Sequence, residues 1–221
     1  MSLLKTIQDK LEELISGNNE EHKRKDSLET TDPDYMLHSP TVVGYNSTSE
    51  QQYLFQNLIA GIDPTVNSIL DIGCGRADLY GYLLDVYGNV ISYKGIDHNP
   101  IMINLAKQKY NVDAEAVSFE NLKSDTYDCV VASGVFTQRR CETEDAELVK
   151  VFQDIDKMYN LCNLSVSFNL LSPINTKIHD GFFYVHPGLI MDMLIEKYQY
   201  VSVRHNYSKD VYTVTILNSN K

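Results

Sequence analysis

The sequence has little of what marks a secreted, membrane-spanning or metal-carrying protein. No apolar run approaches the roughly 18 residues of a membrane span, and no charged-then-apolar leader opens the chain, so a cytoplasmic protein is expected. Cysteine is scarce: the 4 are Cys74, Cys129, Cys141 and Cys162. No pair has Cys-x-x-Cys spacing, so buried reduced thiols and no metal are expected. Positive charge is short as well. The formal net charge of −11 argues against bulk nucleic-acid binding, whose affinity comes largely from neutralised phosphates. The tight basic clusters, Lys23-Arg24-Lys25 and Arg139-Arg140, read as solvated faces. There are no internal repeats and no low-complexity tracts. What is present is 221 residues at 43% hydrophobic content, enough for one domain with an extra segment.

That extra segment is expected over residues 1–35. Leu4, Ile7, Leu11 and Leu14 alternate spacings of three and four, which predicts an amphipathic helix over residues 2–17. Its apolar face suits either the edge of its own domain or an oligomer or partner contact. Residues 18–34 are polar, contain Pro33 and read as a linker. The main domain is expected over residues 36–221. Ser47 and Thr48, with Gln51 and Gln52 following, mark a helix start, and Tyr53, Leu54, Leu58 and Ile59 supply its apolar face.

The rest of the chain is organised around residues 66–79. Val66, Ile69, Leu70 and Ile72 form a nearly continuous apolar run, as in a strand buried on both faces of a parallel sheet. Asp71 sits at its carboxyl end, Gly73 and Gly75 follow, and Leu79, Leu83, Leu84 and Val86 repeat at helical spacing. Strand, glycine turn and helix is the arrangement that binds a cofactor at the carboxyl edge of a doubly wound sheet. A second acid, Asp97, closes the next apolar run at the distance expected for a ribose contact. One Asp at each strand end suits a nucleoside bearing an amino-acid tail.

Further strands are expected over residues 114–117, 127–132 and 164–171, with a helix opening at Pro100, its Ile101, Leu105 and Ala106 inward, and helices over 145–159 and 187–198. Two β-rich runs, 201–206 and 211–217, are joined by Ser208-Lys209-Asp210. So tight a connection means antiparallel pairing, because parallel neighbours need a crossover.

Asp-Ile-Gly-Cys-Gly-Arg-Ala-Asp at 71–78, Gly-Ile-Asp-His-Asn-Pro at 95–100 and Tyr-Asp-Cys-Val-Val-Ala-Ser-Gly-Val-Phe at 127–136 resemble the motifs of class I S-adenosylmethionine-dependent methyltransferases. The resemblance runs from about Gly44 to the C-terminus. It implies an α/β fold: a doubly wound, Rossmann-like, mostly parallel seven-stranded sheet ending in an antiparallel hairpin. It also implies S-adenosylmethionine as cofactor and methyl transfer to an acceptor the sequence does not identify, expected to be a small molecule.

The resemblance assigns the cofactor to Tyr45, Asp71, Gly73, Cys74, Gly75, Asp97, His98, Ser118, Phe119 and Ser133. Asp71 would meet the amino group, Asp97 the ribose hydroxyls, and His98, Ser118 and Phe119 the adenine. Tyr45 would close over the methionine end. The sequence departs from the family at Ala77, where a third glycine is usual, adding a methyl near the ligand. It departs again at Ser118, where an Asp commonly meets the adenine amino group. Ser133-Gly134-Val135-Phe136 lacks the Asn/Asp-Pro-Pro-aromatic pattern of base-amino methyltransferases, and leaves Val135 and Phe136 as apolar walls. No catalytic base is identified; His186 and His205 read as structural, and Tyr184, Tyr207 and Tyr212 as acceptor-pocket candidates. The competing readings are a non-catalytic assembly subunit of the same fold and a nicotinamide-dependent oxidoreductase. Asp71 before the glycines and the terminal hairpin count against the latter.

Overall fold

The computed structural model describes residues 33–218, apart from positions 46, 63, 64, 89, 90, 124, 125 and 175. The helix expected over residues 2–17, most of the polar stretch after it and the cluster Lys23-Arg24-Lys25 lie outside the described residues. The chain divides into two units, one ending at Leu54 and one beginning at Phe55.

In the first unit, the stretch that reads as linker ends in a helix, α1 (Pro33–His38). Proline is at home there because the first-turn N–H has no intrahelical partner to lose. A 3₁₀ turn, Pro40–Val43, follows and is closed by Gly44 in the left-handed region at φ 85°. The Tyr35 and Thr41 hydroxyls lie 2.6 Å apart, and Tyr45 N donates to Pro40 O at 3.0 Å. The next helix, α2 (Thr48–Ile59), starts where expected, with Ser47 Oγ accepting from Glu50 N at 3.1 Å.

The second unit is built on β1 (Ser68–Ile72), α3 (Asp78–Tyr87), β2 (Ser92–Asp97), α4 (Pro100–Tyr110) and β3 (Ala114–Ala116). These are followed by β4 (Tyr127–Ala132), α5 (Glu144–Leu161), β5 (Cys162–Leu171), α6 (Pro187–Lys197), β6 (Tyr200–Arg204) and β7 (Val211–Leu217). The seven strands form one sheet in the order β3-β2-β1-β4-β5-β7-β6. The first five are parallel, and β7 runs antiparallel between β5 and β6. This is the expected Rossmann-like methyltransferase topology. Residue by residue, the expected strand and helix bounds hold to within a few positions.

Because side chains alternate along a strand, each strand serves two layers. Leu70, Ile72, Val130, Ala132, Val166, Phe168 and Leu170 join Val151, Ile155 and Met158 of α5 and Ile190 and Leu194 of α6 in one apolar core. The alternate residues of β5, Ser165, Ser167 and Asn169, are polar yet no more than 3% exposed. The alternation in β5 is therefore one of chemistry and not of solvent contact. Buried polar groups are tolerable only when hydrogen-bonded. Ser167 Oγ donates to Leu58 O at 2.6 Å, and Asn169 Oδ1 accepts from Thr213 Oγ1 at 3.0 Å.

Two ion networks pin the helices. Arg76, only 1% exposed, donates through Nε to Asp78 Oδ2 at 2.9 Å, while Lys109 of α4 reaches Asp78 Oδ1 at 2.7 Å. The Arg-Ala-Asp of the glycine motif thus ties the start of α3 to α4. The second network adds partners to Arg140, which is exposed as expected. Its Nε donates to Glu147 Oε1 and its Nη1 to Asp154 Oδ2, both at 2.8 Å. Glu147 Oε2 also accepts the backbone N–H of Arg140 and Cys141. Burial drives the Glu147 carboxyl up, but these hydrogen bonds outweigh it and leave its pKa below the usual range.

Candidate functional site

The carboxyl edge of the parallel strands gathers most of the residues singled out in the sequence. After β1 the chain passes through Gly73 (φ 67°) and Gly75 (φ 55°), which glycine adopts without steric cost. A Cβ on Gly73 would stand 2.5 Å from Val135 Cγ2. Bare backbone is therefore required where the turn after β1 meets the loop after β4. Ala77 also lies in the left-handed region, at φ 58°, and is 0% exposed. Its methyl is enclosed by protein, so it does not crowd an open surface of the turn.

Asp97, at the end of β2, holds the turn from the other side. Its Oδ2 accepts Gly75 N at 2.9 Å and its Oδ1 accepts Asn99 N at 2.8 Å. Its side chain keeps 11% of its exposure, and the neighbouring His98 ring is 85% exposed with Nδ1 3.5 Å from Asp97 Oδ1. Asp71 is more deeply placed, at 3% exposure. Its Oδ2 accepts the Tyr93 hydroxyl at 2.6 Å. Desolvation pushes its pKa up to about 7; the Tyr93 hydrogen bond opposes the shift and the Asp97 charge adds to it.

Cys74 is buried beside these acids. Its Sγ lies 2.7 Å from where a Gly95 Cβ would stand, so the side chain is turned into the protein. Burial first, and then the charges of Asp71 and Asp97, raise its thiol pKa far above the ordinary value. Such a thiol is inert as a nucleophile.

Ser118 precedes the 3₁₀ turn Phe119–Asn121, and its Oγ accepts Asn121 Nδ2 at 2.9 Å. Phe119 is half-buried, with Lys157 Nζ 4.7 Å from its ring centroid. Ser133, just beyond β4, accepts a long hydrogen bond of 3.4 Å from Asn169 Nδ2. Gly134 is exposed at φ 77°, and a Cβ there would meet nothing within 4 Å. Tyr45 belongs to the first unit.

Some expectations for the acceptor side do not survive. Phe136 is 1% exposed and packs edge-on against Phe168, with centroids 5.5 Å apart, so it is core and not a pocket wall. Tyr212 is 0% exposed and donates to Val185 O at 2.9 Å, which removes it from any acceptor pocket. His186 caps α6, its Nδ1 accepting Gly188 N at 3.1 Å. His205 Nε2 lies 3.1 Å from Lys209 O, with its ring against Tyr212. Both histidines thus make local contacts. The sequence reading missed Tyr93 and Asn169. The signal for Tyr93 is register: it pairs with Ile69, two residues before Asp71 on the same strand face.

Residues 69–159 match the family model described as "Methyltransferase domain". Among curated proteins, none matches the chain. Several solved structures share the fold. The magnesium protoporphyrin IX methyltransferase of Synechocystis PCC 6803, with bound S-adenosylmethionine, is 14% identical, with 86% of this chain and 97% of that one covered and a TM-score of 0.56. The plantazolicin methyltransferase BpumL, in complex with a monoazolic desmethylplantazolicin analogue and S-adenosylhomocysteine, is 12% identical, with 98% of each chain covered and a TM-score of 0.59. Human N-acetylserotonin methyltransferase, in complex with S-adenosylmethionine, is 12% identical over 81% of this chain and 59% of that one, with a TM-score of 0.56.

Proposed function

We infer that this chain, which carries a methyltransferase domain of the class I, S-adenosylmethionine-dependent kind, methylates a small-molecule acceptor at the carboxyl edge of β1 and β4. The observation that carries the reading is the Asp97 carboxylate. Two backbone N–H groups, from Gly75 and Asn99, occupy two of its roughly four acceptor positions. The remaining capacity suits the two hydroxyls of a ribose. Gly73 and Gly134, both exposed and both at positive φ, give the backbone close approach that an amino-acid tail needs. The residues present fit the donor.

In this reading Gly73, Gly75 and the Cys74 backbone cradle the methionine portion. Asp71 faces its amino group, directly or through water. His98, Ser118 and Phe119 flank the adenine, and Ser133 borders the transferred methyl. The donor supplies a methyl on a sulfonium, a leaving group good enough that covalent catalysis is not needed. The task left to the chain is to hold the two partners in line and keep water out. Gly134 and Val135, beside the turn after β1, are placed to border the acceptor. The domain is proposed to span residues 36–221, with residues 1–35 as an appended docking or covering element.

A small acceptor is supported by the net charge of −11, which disfavours bulk nucleic acid. The acceptors named for two of the neighbours, N-acetylserotonin and magnesium protoporphyrin IX, are also small molecules. No helix among the described residues is long and apolar enough to cross a membrane. The four free cysteines suit a reducing, cytoplasmic setting.

Titration calorimetry with S-adenosylhomocysteine tests the reading, with NADH as control. Wild type is expected to bind the former alone, and Asp97→Ala to lose that binding. Silence with both ligands would leave a non-catalytic subunit of the same fold as the better description.

A further inference from the structure

The adjacent arginines Arg139 and Arg140 are alike in sequence and unlike in the fold. Arg140 is committed to Glu147 and Asp154. Arg139 is half-buried, and among the described residues its guanidinium has no hydrogen bond or ion pair. Other cations of this acidic chain do find partners: Arg76 with Asp78, Lys94 with Asp113, Lys150 with Asp154 and Lys197 with Asp156. An arginine in a chain rich in carboxylates, yet paired with none of them among the described residues, keeps its full set of donors for an incoming anion.

Its position says which anion. Arg139 lies on the connection from β4 to α5, five residues after Gly134. That connection is held in place by the one from β5 to α6. Gln138 and Phe182 form an antiparallel bridge, Phe183 N donates to Thr137 O at 2.9 Å, and Arg139 N donates to Gly181 O at 2.9 Å. Thr137 Oγ1 donates in turn to Gly134 O at 2.6 Å. The backbone that carries Arg139 is therefore braced against the very turn beside which the methyl group is transferred in the reading above. We propose that Arg139 anchors a carboxylate on the acceptor, so that the substrate is a small organic acid methylated at another position. A planar guanidinium binds a carboxylate through two parallel hydrogen bonds and so orients it as well as holding it. The chain's overall negative charge repels such a substrate at long range, which makes a local cation necessary.

The proposal rests on the methyltransfer reading, and the experiment separates the two. Full-length protein is first titrated with S-adenosylhomocysteine; failure of wild type to bind it sinks the methyltransfer reading. The complex is then melted in the presence of a panel of aromatic and aliphatic carboxylic acids, each paired with its primary amide. At least one acid is expected to raise the melting temperature where its amide does not. Arg139→Gln is expected to erase that difference. Arg204→Gln serves as the control, since Arg204 is also half-buried and unpartnered among the described residues but stands on edge strand β6. Arg204→Gln should keep the difference. With an acid that accepts labelled methyl, Arg139→Gln should raise KM about 10- to 100-fold, the loss of a charge-assisted hydrogen bond, with kcat little changed. The proposal is overturned if no acid outperforms its amide, or if Arg139→Gln responds like wild type.

Discussion

Asp71, at the carboxyl end of β1, and Glu147, in the first turn of α5, are both buried carboxylic acids, 3% and 0% exposed. Their surroundings treat them in opposite ways. Glu147 receives the Arg140 guanidinium and two backbone N–H groups, and its pKa falls below the ordinary range. Asp71 receives one hydrogen bond from a neutral phenol, has the Asp97 charge nearby, and is pushed up to about 7. Burial alone therefore does not decide the ionisation of a carboxyl; the supply of donors and cations around it does. The well-supplied acid lies in a structural joint. The undersupplied one follows β1 into the glycine turn, where in the proposed reading an ammonium group would complete it, and perturbed acids of this kind gather at functional sites.

The sharpest way to break the contrast is to remove one side of the satisfied network. Glu147→Ala leaves two backbone donors without their acceptor and the Arg140 guanidinium with Asp154 alone. It is expected to cost about 2–4 kcal/mol of stability in a urea titration, chiefly from the two backbone donors left unsatisfied, since Arg140 is partly exposed and keeps Asp154. A loss below about 1 kcal/mol would mean that solvent substitutes freely for the glutamate.

Next in size is the dependence on pH, where the two acids have opposite signs. Asp71 is raised in the folded state, so its favourable contribution is complete below pH 3.8 and is lost as the pH climbs through about 7. Between those values it lowers stability by up to about 1.4 kcal/mol per pH unit. Asp71→Asn should flatten that decline, since the amide oxygen still accepts the Tyr93 hydroxyl. Glu147 is lowered, so its contribution stands above pH 4.5 and is lost as the pH falls through its folded value. Melting curves of wild type and Asp71→Asn from pH 4 to 8 would decide the matter, and parallel curves would refute it.

The smallest effect is expected at Ala77. Replacement by glycine relieves a left-handed backbone costing roughly 1–2 kcal/mol, but gives up a buried methyl worth about 0.8 kcal/mol and adds freedom to the unfolded chain. The net change should stay below about 1 kcal/mol. Because the methyl is enclosed, affinity for S-adenosylhomocysteine should not move; a several-fold gain on calorimetry would place Ala77 at the ligand after all.

These two acids also mark the limit of what could be read from the sequence. The turn after β1 was legible because its apolar run, acid and glycines lie within a dozen residues, and local sterics dictate the rest. The partner of Asp71 was not, because Tyr93 is 22 positions away and reaches it only through the parallel register of β1 and β2. The partners of Arg140 were hidden for a similar reason: its exposure could be read locally, but only the packing of α5 brings Glu147 and Asp154 to it. Asn169 and Thr213, 44 positions apart, required the antiparallel insertion of β7. Pro33 misled because proline breaks a helix in its interior but opens one at its start.

That insertion of β7 has a consequence for how the protein is made. Of the described strands, β7 is the last to be synthesised, yet it occupies the interior of the sheet, bonded to β5 on one side and β6 on the other. Until residues 211–217 have emerged, β5 presents an open edge at the centre of the future sheet, and β6 has no strand to pair with. Open edges invite pairing with other chains. The nascent protein thus passes through an interval in which its own final strand competes with its neighbours for the same row of hydrogen bonds.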